Sequence, residues 1–242
     1  MGTLSTSFIF ALGASMASVI GGVMVTRYTW ATRSLRYFIA LGAGFMLGTV
    51  FIEMAPVSFR QTTAAPALIL LGYLIVHFFE HVFATHLHFG EETHHHEKSR
   101  PAVEFSALVG LLVHTFFDGV SIGAGFQVSQ GLGLLIFLAV VLHKIPDGFT
   151  ISSIFVNAGH SAGQAQAAAI ALGVSTLVGV LAVNLVGRGL EYALPISTGS
   201  TLYVAATDLM PEANRESGVR MAFIVFAGIA LFFLMKTLTG DA

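Results

Sequence analysis

Eight stretches of this chain are apolar over the length that a lipid hydrocarbon core demands, and this limits what it can fold into. A helix crossing that core needs about 20 predominantly apolar residues. Cutting the sequence at charged and Gly/Pro-rich stretches leaves such segments at roughly 6–26, 35–57, 66–87, 103–127, 131–156, 164–187, 197–214 and 217–238. The seventh is the weakest, being short and interrupted by Asp208 and Pro211. Hydrophobic residues make up 55% of the chain and charged residues 10%, against about 25% charged in a soluble domain. Much of the surface must therefore face lipid. The sequence predicts an all-α integral membrane protein, a bundle of eight transmembrane helices forming one domain over residues 1–242.

Short connections, such as Gln127 to Gly131, leave no room for a separate soluble domain. One side of the bundle collects Arg27, Arg33, Arg36, Lys98, Arg100, Arg215 and Arg220, while the other has only Arg60, Arg188 and Lys236. The basic side is expected to be cytoplasmic, which places both termini outside the cytoplasm. The opening MGTLSTSFIF lacks a basic leader region, so its apolar stretch reads as a retained span rather than a cleaved signal. Cysteine is absent, which excludes disulfides, thiolate metal sites, iron–sulfur clusters and cysteine nucleophiles. A net charge of −2 offers nothing to nucleic acid. The longest connection, at about 85–102, falls on the cytoplasmic side and carries His86, His88, His94, His95 and His96. A His-rich tract points by composition to metal binding, and a plain flexible polar loop accounts for it equally well.

The chemistry is concentrated in a repeated motif. Residues 114–123 read HTFFDGVSIG and residues 143–152 read HKIPDGFTIS. Positions four apart share one face of a helix, so His114 and Asp118 point the same way, as do His143 and Asp147. The two segments are antiparallel neighbours, which lets the faces converge on one point. Two imidazoles and two carboxylates suit a borderline divalent metal. For one motif alone a buried His–Asp pair is the simpler reading; two copies in adjacent spans favour a metal. Pro146 removes a backbone donor and crowds the Leu142 carbonyl, predicting a kink beside His143. Gly119 and Gly148 allow close backbone approach, though ordinary helix packing explains them as well.

Other ionisable groups lie at different depths, where they are expensive and usually mark a pathway. Glu53 stands near the outer end of the second span. His77, Glu80 and His81 lie toward the inner end of the third, and Asp208 and Glu212 flank Pro211 in the seventh. Successive weak sites are what conduction requires. An intramembrane metal hydrolase is the rival reading, with Glu80 as its base, although no HExxH occurs. A bis-histidine haem protein is a third, opposed by the two Asp partners.

These residues resemble the ZIP family of divalent-metal transporters. HTFFDG is similar to the family's fourth-span motif, HKIPDG to its fifth-span motif, LYVAATDLMPE to its seventh-span segment and FIEMAP to the end of its second span. The resemblance implies that His114, Asp118, His143 and Asp147 are ligands of a central transport site, with Met46 as a thioether contact. It puts Glu53 at the outer entrance and His77, Glu80 and Asp208 on the inner exit path. The chain departs from the family at Thr115, where many relatives have Asn, and at Lys144, where two-metal members have an acid. The sixth span offers no acid, only Ser175 and Asn184 as polar candidates. A single metal is therefore expected, with Lys144 either supplying the charge of a second metal or pairing with Asp118 or Asp147. A like charge at about 4 Å would weaken metal binding and favour release. The expected substrate is zinc, or iron, manganese or cadmium, moved into the cytoplasm by alternating access; spans two, three, six, seven and eight could rock against the four–five pair, and the sequence does not show which part moves. Partners would be the cation, the lipid bilayer and a second copy in a homodimer; the compact chain suggests a prokaryotic inner membrane.

Overall fold

A computed structural model of the chain describes residues 2–27, 31–83, 103–186, 190–215 and 219–240. These residues form ten α-helices: α1 (Thr3–Arg27), α2 (Ala31–Gly48), α3 (Ala55–Gln61), α4 (Ala65–Phe83), α5 (Val103–Val128), α6 (Gln130–Asn157), α7 (Ala162–Val186), α8 (Leu190–Tyr203), α9 (Met210–Asn214) and α10 (Val219–Thr239). Two π-helical segments, Thr49–Met54 and Val204–Leu209, join α2 to α3 and α8 to α9 without a break. The ten helices therefore make eight rods.

Seven rods are long and apolar enough to cross a membrane. The remaining one, α8–α9, contains the segment that is weakest in the sequence. It starts at Leu190, seven residues earlier than the hydropathy indicates, and runs through Pro195. The third rod is described as far as Phe83, so the end of the expected 66–87 span lies outside the described residues. So does the whole 85–102 connection, with His86, His88, His94, His95 and His96.

Turns are set by local chemistry. Ser129, in extended conformation, caps α6 by accepting a hydrogen bond from the Leu132 N–H at 3.0 Å. After α6, Gly159 takes a φ of +89°, which is open to glycine at little cost. The amide that follows it, His160 N–H, closes the helix end by donating to Phe155 O at 3.0 Å.

Four pairs of rods meet through reciprocal glycines. Gly148 presses on the Ser18 carbonyl while Gly21 presses on that of Ile145, joining α1 to α6. Gly119 meets Thr176 O and Gly179 meets Phe116 O, joining α5 to α7. Gly72 and Gly199 do the same for α4 and α8 through Ile196 O and Ile69 O, and Gly44 and Gly228 for α2 and α10 through Val225 O and Leu41 O. In each case a Cβ would collide with a backbone carbonyl. Small residues that bring backbones into contact are how helices associate where lipid supplies no hydrophobic drive.

Each of these pairs is parallel. Along α5 and α7, for example, Ser175 bonds Leu112 O, Gly119 faces Thr176 O, and Gln127 bonds Asn184. The pairings map onto one another when rods one, two and three are matched with six, seven and eight, and rod four with rod five. The two π segments, in rods two and seven, obey the same correspondence. Since rods one and six run in opposite directions, the bundle is an inverted repeat, of which the duplicated His-x-x-x-Asp is the visible trace in the sequence.

Gly199→Val, remote from the duplicated motif, is expected to separate α4 from α8. The cost should be about 1–3 kcal/mol, in the range of core overpacking, read as a lower unfolding temperature in detergent. Gly163→Ala, whose Cβ would meet nothing closer than 3.9 Å, should leave that temperature unchanged.

Candidate metal site

Gly119 and Gly148 seat α5 on α7 and α6 on α1, and each follows an aspartate. One residue back along a helix is about 100° round the axis, so the side that each glycine clears for its neighbour leaves the aspartate free to turn elsewhere. Asp118 and Asp147 meet between α5 and α6, together with His114 and His143. The four ligand atoms lie within 4.8 Å of one another, and all four side chains are at most 2% exposed.

The geometry is that of a set of acceptors facing one point. His114 Nε2 lies 3.3 Å from Asp118 Oδ2 and 3.5 Å from Asp147 Oδ2. His143 Nε2 lies 3.3 Å from Asp118 Oδ2 and 3.9 Å from Asp147 Oδ2. A tetrahedral ion with bonds of about 2.0–2.1 Å has ligand–ligand edges of about 3.3–3.4 Å. His143 Nδ1 stands 2.9 Å from Ala139 O. A carbonyl only accepts, so Nδ1 donates, and in the neutral ring the Nε2 lone pair is turned toward the carboxylates. Two acceptors facing each other need a cation or a proton between them. His114 Nδ1 has no hydrogen-bond partner among the described residues, and its Nε2 faces the two carboxylates, which leaves this imidazole available as a ligand. The buried cluster is consistent with a metal site.

Lys144 is itself completely buried. Its Nζ lies 2.7 Å from Asp118 Oδ2 and 4.0 Å from Asp147 Oδ2, so the ammonium pairs with Asp118 and borders the cluster. Thr115 is buried and bonds Leu112 O at 3.2 Å. Ser175 donates to Leu112 O at 2.7 Å, and Asn184 accepts from Gln127 at 3.2 Å. These last two tie α7 to α5 and lie outside the four-residue cluster.

The other expected residues are spread along the rods. Met46 is fully buried in an apolar cluster with Phe45, Leu135, Ala139 and Phe149. Glu53, in the first π segment, pairs with Lys236 at 2.6 Å. Glu80 on α4 is hydrogen-bonded to Tyr203, and Asp208 in the second π segment accepts from Thr207 at 3.1 Å. Glu80 and Asp208 are electrostatic neighbours of each other and of His114 and Asp147. The His77 and His81 rings are in contact, tilted by 35° with centroids 4.0 Å apart, and the His77 ring lies 5.9 Å from that of Tyr203. Glu212 pairs with Arg215 at 3.1 Å.

A line of buried hydroxyls was not anticipated from the sequence. Ser58 Oγ lies 3.3 Å from Thr198 Oγ1, and Ser121 Oγ lies 3.5 Å from Thr201 Oγ1. Ser58 and Thr198 already donate to Met54 O and Leu194 O, each at 2.7 Å, so their facing oxygens present lone pairs. The signal was available: the stretch ISTGSTL, 196–202, puts four hydroxyls into one turn and a half of an otherwise apolar helix.

Comparison with known proteins agrees with this geometry. Residues 99–236 match the family described as ZIP Zinc transporter. The chain is 30% identical over 142 residues to zinc transporter SLC39A7 of Mus musculus, an alignment covering 52% of this chain and 30% of that protein. It is 22% identical over 270 residues to zinc transporter ZIP9-A of Xenopus laevis, covering 88% and 87%. The chain thus spans under a third of the length of the SLC39A7 relative. These relatives are vertebrate proteins and lend no support to a prokaryotic origin.

Asp118→Ala removes an acceptor and leaves the Lys144 ammonium buried without its partner, a loss of about 3–5 kcal/mol in stability. Zinc binding by titration calorimetry should weaken at least about tenfold, the cost of one good charged contact. Lys144→Met is expected to bind zinc more tightly than the wild type, because the like charge beside the ion is gone.

Proposed function

From the premise that this chain belongs to the ZIP zinc transporter family, we propose that it carries a divalent transition metal, zinc foremost, across a membrane through a single buried site. The observation that carries this reading is the convergence of His114, Asp118, His143 and Asp147, from two neighbouring rods, on one point closed to solvent. The hydrolase reading gives way because the family is one of transporters, and the haem reading because both Nε2 atoms face the two carboxylates.

In this reading Glu53 receives the ion and the buried hydroxyls of Ser58, Thr198, Ser121 and Thr201 offer oxygens as it sheds water. Met46 is a soft contact near the centre. The ion then leaves past Glu80, His77 and Asp208, with His81 and Glu212 at the exit and the loop histidines His86, His88, His94, His95 and His96 as acceptors. Direction is inward, with both termini extracytoplasmic, following the excess of Lys and Arg on one side. Lys144 takes the place of a second metal and, as a like charge beside the first, speeds its release. Iron, manganese and cadmium satisfy the same ligands, and a homodimer fits the family.

The tight glycine contacts favour a different division of labour from the one the sequence suggests. They bind α1 to α6 and α7 to α5, and separately α4 to α8 and α2 to α10; with α5 and α6 packed on each other, this favours α1, α5, α6 and α7 as one body and the remaining four rods as the other. Alternating access then exchanges the site between two four-rod bodies, with the sixth span travelling beside the fourth and fifth.

The test is uptake of radioactive zinc into proteoliposomes by the wild type and by His143→Ala/Asp147→Ala. Uptake by the wild type alone is expected; equal uptake by both would remove the site from the route, and none by the wild type would end the transport reading. Deleting residues 91–97 should change regulation or exit rate while uptake persists.

A further inference from the structure

The register between α2 and α10 contains one irregularity. Gly44 meets Val225 and Ile229, Gly228 meets Leu41 and Phe45, and Gly48, one turn on, meets Phe232. Carried on at the same offset, Lys236 in the last turn of α10 would come opposite Ile52. That residue is 41% exposed on the lipid side. The π segment Thr49–Met54 holds one residue more per turn than an α-helix. The residue that meets Lys236 is Glu53, turned inward to 9% exposure, with Lys236 Nζ at 2.6 Å from its Oε1. The same segment packs against α6, which carries His143 and Asp147, and against α8, which carries Thr198 and Thr201.

The two partners are unequal. The Glu53 side chain is 12% exposed and sits on a short stem in the widened turn, whereas Lys236 is 25% exposed on a flexible four-carbon stem that can swing its ammonium into water. A divalent ion and the ammonium cannot share one carboxylate oxygen, because like charges at such a distance repel strongly in a partly buried setting. Both residues belong to the same four-rod body, so rocking of the bundle neither makes nor breaks the pair. Exchange at the carboxylate does.

Building on the transport reading above, we propose that Lys236 is a tethered cation that competes with the incoming metal for Glu53 and so sets the apparent affinity of the entrance. Each divalent ion must displace the ammonium before it reaches the buried hydroxyls. Ions bound weakly to carboxylate fail at this step. Lys236 is therefore a specificity-determining residue outside the central site.

The experiment is the concentration dependence of initial zinc uptake into proteoliposomes by the wild type, Lys236→Gln, Lys236→Met, Lys236→Arg, Glu53→Gln and Lys236→Gln/Glu53→Gln. Losing the competitor should lower KM roughly three- to tenfold in both neutral variants, as removal of one nearby charge does, with little change in the maximal rate. Lys236→Arg should keep the wild-type KM, and Glu53→Gln should raise it. The double variant should behave as Glu53→Gln, since Lys236 acts only through that carboxylate. An unchanged KM in the neutral variants, with a lower unfolding temperature, would make the pair a structural staple and overturn the proposal. So would a double variant that keeps the lowered KM. A wild type without uptake of any divalent ion would instead overturn the transport reading itself.

Discussion

A glycine pressed against a carbonyl of the next helix is the contact on which the rest of this structure depends. It recurs in four parallel pairs, and in two of them the glycine directly follows an aspartate of the central cluster. Gly119 and Gly148 bring α5 and α6 as close to their outer neighbours as backbones allow. Both aspartates, a hundred degrees round the helix, are then fixed toward each other. A side chain at either glycine would push the helix away and turn the carboxylate with it. Packing and ligand geometry are therefore one constraint.

The second constraint is the treatment of charge where water is scarce. An ionised carboxylate at such depth costs several kcal/mol unless it is paired. Asp118 has Lys144, with His114 and His143 close by; Glu53 has Lys236; Glu104 has His160 at 3.2 Å; Glu212 has Arg215. Asp147 faces His114 across 3.5 Å. Pairing of this kind keeps a bundle stable with its acids buried. Under the proposed transport it would also keep any one site from holding a cation too firmly. Two of the cations are lysines, whose long stems permit retreat.

The two π segments connect these themes. Each adds a residue to a long rod and turns an acid, Glu53 in one and Asp208 in the other, away from the face that the preceding α-helix would give it. Each is followed by a proline that begins the next α-helix, Pro56 and Pro211. Both lie toward the C-terminal ends of rods two and seven, which run in opposite directions, so the inverted repeat puts them on opposite sides of the bundle. One arrangement thus recurs on both sides of the central cluster.

Much of this could be read from the sequence. Hydropathy determined the spans because a membrane core admits only long apolar helices, and i,i+4 spacing put each His and Asp on one face. The short turn at Ser129 made the two motifs neighbours. The α8–α9 rod was least legible, since its hydroxyls and acids lower its hydropathy; the hydroxyls from Ser197 to Thr201 are tolerated because they are buried. The partner of Glu53 could not be read at all: Lys236 is remote in the chain, and an α-helical register would have assigned it Ile52. Nor could the sequence say which of its two aspartates Lys144 would pair with, or that the glycines after them would meet α7 and α1 rather than each other. Local spacing and solvent preference are properties of a segment and are written in its residues. The register between distant helices depends on how whole surfaces fit, and only the packed bundle decides it.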